Sequence, residues 1–65
     1  MVIKNPDIPK PAQIRKVREA AGLSQSQAAE VVYVSLRTWQ NWEAGKHAMN
    51  PVLWDCFKVH ADNQG

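Results

Sequence analysis

This 65-residue chain predicts an all-α fold, a compact bundle of short helices, four in number and five at most. Three observations lead there. In four separate stretches apolar residues recur three and four positions apart, the period of one face of an α-helix. Each stretch opens on a capping residue or a proline, and Gly22 and Gly45 stand where the first and third should end. No stretch alternates apolar and polar residues in the manner of a half-buried strand, and no internal repeat or low-complexity tract is present.

Taken in order, residues 1–9 form an N-terminal arm. Pro6, Pro9 and Pro11 exclude a continuous helix and favour extended backbone, with Pro9 or Pro11 placed to start the first helix. That helix spans about residues 10–21. Ile14, Val17 and Ala21 turn inward, Arg15, Lys16 and Glu19 face solvent, and Gly22 stops it as the residue just past the C-cap. The second helix, about residues 25–32, begins at the N-cap Ser24, where Gln27 completes a capping box. Its inner face is small: Ala28, Ala29 and Val32. A tight turn leads to a second N-cap, Ser35, and a third helix over about residues 36–44. Trp39 and Trp42, three apart, form its apolar side; Arg37, Thr38, Gln40 and Asn41 form the other. Asn50-Pro51 is a cap followed by proline at the first helical position. The fourth helix runs from there over about residues 51–61, with Leu53, Cys56, Phe57 and His60 as its apolar set and Trp54 to one side. Residues 62–65 are a polar tail, so the folded domain covers residues 10–61.

A chain of this length holds one domain, whose core buries only about 60% of the unfolded surface. Dimerisation is a natural source of further stability. There is no apolar run of about 18 residues to span a membrane, and the N-terminus lacks the apolar region of a signal peptide. A cytoplasmic location is therefore expected. Cys56 is the only cysteine, and its place in an apolar helix predicts a small buried core residue rather than a reactive thiol. Eight basic against six acidic residues give a net charge of +2, compatible with a nucleic-acid partner without requiring one. His47 and His60 have no second ligand at metal spacing, and Asp55 with His60 lacks a nucleophile to complete a catalytic set. Neither an enzyme nor a metal, cofactor or small-molecule substrate is expected.

Buried aromatics on one side of a capped helix, with amide and guanidinium groups on the other, suit the reading of base edges in a major groove. The pattern from Ile14 to about Val59 resembles the helix-turn-helix of the lambda-repressor/Cro-like (XRE) superfamily. The pieces that carry the resemblance are Arg18, Ala21-Gly22-Leu23-Ser24-Gln25, Ala29, Val34-Ser35, Trp39 and Trp42-Glu43-Ala44-Gly45-Lys46. One position departs: the family's turn usually holds a glycine at positive φ, and here it is Tyr33. For a tyrosine that conformation costs about 1 kcal/mol or more.

The resemblance implies a DNA-binding transcriptional regulator, a phage-, plasmid- or prophage-type repressor acting as a homodimer on double-stranded operator DNA at the nucleoid. It places Arg37, Gln40 and Asn41 on base edges. Leu36 falls where it meets a thymine methyl or simply covers the helix start. Ser35 and Thr38 serve as phosphate contacts or caps, Gln25 grips a phosphate at the start of the second helix, and Lys46 reaches the backbone beyond the third. Arg18 and Glu43 are implied to be a structural ion pair. The other class of function is a protein-interaction adaptor on the same scaffold, which the modest charge, Tyr33 and an exposed Trp54 would favour.

Overall fold

The computed structural model of the chain describes residues 8–64, with side chains described through residue 62. Of the expected arm only Ile8 and Pro9 fall within that range. Four helices follow: α1 (Pro11–Ala20), α2 (Gln25–Val31), α3 (Leu36–Glu43) and α4 (Pro51–Gln64). Among the described residues there is no strand. α1 packs on α3 and α4, and α2 packs on α3 and α4.

The helix starts follow from local chemistry. Pro11 is the first residue of α1, and the carbonyl of the Gln13 side chain accepts the Lys10 N–H at 2.9 Å. At α2 the Ser24 hydroxyl accepts the Gln27 N–H at 3.1 Å, and the Gln27 side chain accepts the Ser24 N–H at 2.9 Å. The Ser35 hydroxyl accepts the Thr38 N–H at 3.1 Å, and Asn50 Oδ1 accepts the Val52 N–H at 2.8 Å. Each bond satisfies a donor that a helix start leaves open.

The ends of α1, α2 and α3 share one solution. In each, the residue past the C-cap is left-handed, and its N–H and that of its successor return to carbonyls of the last turn. At α1 these are Gly22 N–H to Glu19 (3.0 Å) and Leu23 N–H to Arg18 (3.2 Å). At α2 they are Tyr33 N–H to Glu30 (3.2 Å) and Val34 N–H to Ala29 (3.0 Å). At α3 they are Gly45 N–H to Trp42 (3.3 Å) and Lys46 N–H to Asn41 (2.9 Å). The left-handed residues have φ of +73° at Gly22, +58° at Tyr33 and +78° at Gly45. Tyr33 thus takes the glycine's conformation, and the turn keeps its shape.

The core gathers Ile14 from α1, Ala28 and Ala29 from α2, Trp39 and Trp42 from α3, Trp54 and Phe57 from α4, and Val32 and Met49 from the connections. Trp39 lies at its centre, with ring centroids 5.6 Å from Trp42 in an edge-on arrangement and 4.8 Å from Phe57. Such pairs add stability beyond the area they bury.

α4 corrects the sequence reading. Cys56, expected in the core, is exposed, and Trp54, expected to one side, is buried. Leu53 is half-buried and packs against the core, while Val52 and Val59 remain exposed. The reason is that α4 has apolar residues around its whole circumference, so their spacing does not select an inner face. Trp54 and Phe57, the two largest, enter the core because they bury the most area, Phe57 against Trp39 and Trp54 stacked on Phe57. The helix also runs to Gln64, beyond the expected end near residue 61; no glycine or proline stands in its path before then.

Candidate nucleic-acid interface

At 3.6 residues per turn, about 100° per residue, the buried Trp39 and Trp42 define the inner side of α3. Arg37 falls nearly opposite them, with Gln40 and Asn41 flanking it. Arg37 and Gln40 are exposed and Asn41 is half-buried, its carbonyl accepting the Lys46 N–H that closes the helix. Leu36, in the first turn, is 43% exposed. Lys46 is exposed directly after the left-handed Gly45. The structure therefore brings Leu36, Arg37, Gln40 and Asn41 onto one short solvated helix.

Ser35 and Thr38 sit together at its start. Besides the cap, their hydroxyls are 2.9 Å apart in a hydrogen bond. That places both in the business of holding the first turn of α3.

Glu43, in the last turn of α3, accepts donors from all three of the first helices. Arg18 of α1 donates through Nε at 2.7 Å and through Nη2 at 3.3 Å, while its Nη1 donates to the Leu23 carbonyl at 2.9 Å. Gln25 Nε2 of α2 donates at 3.2 Å, and Trp39 Nε1 donates from one turn earlier in α3. The side chains of Arg18 and Glu43 are only 13% and 6% exposed. Burial on its own would raise the Glu43 carboxyl. The hydrogen bonds from Arg18, Trp39 and Gln25, with the Arg18 charge, outweigh it and hold the group below its ordinary value. Glu43 is therefore ionised across the neutral range, and no buried side-chain polar atom among the described residues lacks a partner.

Gln25 does more here than occupy the start of α2. Its Nε2 bonds Glu43, and its Oε1 accepts from Gln40 Nε2 at 3.3 Å. The capping box at Ser24 uses neither the Gln25 nor the Ser26 N–H. Arg15, Arg18, Gln25, Gln40, Glu43 and Ala44 line an open polar cleft of about 450 Å³ between α1, α2 and α3. Arg15 is exposed within an ion pair to Glu19 at 3.3 Å. Sequence reasoning did not find the Gln25–Gln40 and Gln25–Glu43 bonds, since residues fifteen and eighteen apart carry no local signal. The Trp39–Glu43 bond was open to it, because the two are one helical turn apart.

A sequence model described as a helix-turn-helix domain matches residues 12–55, more than half of the chain. The chain belongs to the helix-turn-helix domain family. This agrees with its resemblance to the lambda-repressor/Cro-like superfamily, and α2, the turn at Tyr33 and α3 are the motif itself. A curated relative, the Type II methyltransferase M.MspI of a Moraxella species, is 42% identical over 45 residues. That match takes in 69% of this chain and 11% of the relative, so this helix-turn-helix chain spans about a tenth of the relative's length. No helix among the described residues is long and apolar enough to cross a membrane. Nor do three or more His, Cys, Asp or Glu side chains gather there in a way that would hold a metal ion.

Proposed function

We propose that the chain is a non-enzymatic, sequence-specific DNA-binding transcriptional regulator, a repressor of phage, plasmid or prophage type. It acts as a homodimer on double-stranded operator DNA, in the cytoplasm at the nucleoid. The observation that carries this reading is the solvated row Arg37, Gln40 and Asn41 on a helix whose opposite side is fixed by two buried tryptophans. Arginine pairs with guanine and asparagine or glutamine with adenine through two bonds each, and a rigid helix is the platform such pairing needs. Gln25, Ser35, Thr38 and Lys46 surround this row where phosphates run, and they position rather than specify. Leu36 offers an apolar contact to a thymine methyl.

The second reading, a protein-interaction adaptor, draws on Tyr33, a large apolar residue that is 95% exposed. The methyltransferase relative also carries a matching stretch inside a much longer chain. Trp54 lends it nothing, being buried. A gel shift with DNA from upstream of the protein's own coding region separates the two. Binding that survives excess unrelated competitor supports the regulator. Binding that competitor abolishes equally at every sequence puts the adaptor ahead.

A further inference from the structure

We propose that Tyr33 is a DNA-backbone contact, its hydroxyl donating to a phosphate at the edge of the groove that α3 enters. This rests on the DNA-binding reading above and adds to it a residue that the resemblance does not supply, since the family's turn usually holds a glycine there.

The backbone is the first reason. Tyr33 sits at φ +58°, a conformation that a Cβ makes unfavourable. Its side chain is almost wholly solvated, so the free domain recovers next to nothing from packing it. Strained residues persist where the side chain serves a site, and the binding partner then supplies the return that the free protein lacks.

Place is the second. Tyr33 directly follows Val32, the C-cap of α2, and stands two residues ahead of Ser35, the N-cap of α3. A recognition helix meets the bases through its N-terminal end. The turn that leads into it is thereby carried to the rim of the groove, where the phosphates run.

The third is the supply of donors. Ser35 and Thr38, the other hydroxyls at this end of α3, are turned on each other. One of their two protons is spent on the 2.9 Å bond between them, and the Ser35 oxygen also accepts the Thr38 N–H. The Tyr33 hydroxyl makes no hydrogen bond among the described residues. Its proton is wholly at the disposal of a ligand, and tyrosine is among the side chains that donate to phosphate oxygens. A tyrosine that anchors a protein partner sits within apolar surface. Here the neighbouring Val31 and Val34 are packed against the core instead, which favours the polar ligand. A glycine would suit the turn better but has no group to offer, so the tyrosine exchanges stability of the free domain for grip on DNA.

The test compares the wild type, Tyr33→Phe and Tyr33→Gly in binding titrations at several salt concentrations, with melting as the fold control. Two duplexes are used, one that the wild type selects from a random pool and a scrambled one. Tyr33→Phe removes only the hydroxyl. It should melt with the wild type yet bind both duplexes about tenfold more weakly. The salt dependence should not change, because an uncharged group releases no counterions. Tyr33→Gly should melt higher than the wild type and lose at least as much affinity. Ethylation interference locates the contact: a phosphate whose ethylation hinders the wild type should cease to matter in both variants. Tyr33→Phe binding like the wild type overturns the inference and leaves the ring to a protein partner. A loss confined to the selected duplex overturns it by placing the hydroxyl on a base, as does interference at the same phosphates in all three proteins. A wild type that selects no duplex from the pool overturns the DNA-binding reading itself.

Discussion

Donors from three helices converge on the carboxylate of Glu43, and this one residue ties together the elements that would meet DNA. Removing it leaves two of the Arg18 donors, Nε and Nη2, and the Trp39 N–H without their acceptor in a nearly closed site. Glu43→Ala should therefore cost about 3–5 kcal/mol, a large share of the total for a domain this small. Thermal melting at pH 7 checks this, and an unchanged midpoint would mean that water replaces the lost acceptor. Because folding lowers the carboxyl below its ordinary 4.5, the contribution is fully present above that value. It is lost as pH falls through the lowered folded value. Glu43→Gln should accordingly be less stable than the wild type at pH 7 and close the gap in acid. At Cys56 the expectation follows from the correction: an exposed thiol should react with a thiol reagent in the native state, without waiting for unfolding. Protection until the protein is denatured would place the residue back in the core. The Arg18–Glu43 pair was suggested by the resemblance of the motif. The role of Gln25 beside it was not, because a hydrogen bond between distant helices leaves no periodic trace in a sequence.

Among the elements, the turn between α2 and α3 holds the one left-handed residue among those described that is not glycine. Tyr33 is 95% exposed, so its ring buries almost nothing to offset the strain on its backbone. Tyr33→Gly should stabilise the free domain by up to about 1 kcal/mol, part of the gain being cancelled by the greater freedom of glycine in the unfolded chain. Urea denaturation measures it, and a clear loss of stability would show that the ring packs against something after all. The strained position was located by the resemblance, whose turn usually holds a glycine where this chain has Tyr33. The starts of α2, α3 and α4 were equally plain, each being a side chain that accepts from a residue two or three positions on. The inner face of α4 could not be read this way. With apolar residues on every side, size and the burial it brings decide that Trp54 and Phe57 enter and Cys56 does not. Met49 escaped notice for a related reason, since it lies between α3 and α4, where no period applies, yet it is almost wholly buried.

On the scale of the molecule, a few aromatic rings stiffen a very small fold, and that stiffness gives α3 its proposed use. Trp39 and Trp42 bind one side of α3 to α1, α2 and α4, and the network at Glu43 fixes its last turn, so the polar side keeps a set geometry towards solvent. If that side reads DNA, base contacts and phosphate contacts must fail differently. The direct test is a binding titration of Arg37→Ala, Asn41→Ala and Lys46→Ala on a specific and a scrambled duplex at several salt concentrations. Arg37→Ala and Asn41→Ala should each cost about 1–3 kcal/mol on the specific duplex and little on the scrambled one. Lys46→Ala should weaken both alike and reduce the salt dependence by about one unit per domain bound. Equal losses on both duplexes for Arg37→Ala and Asn41→Ala would contradict the account and remove α3 as the reader.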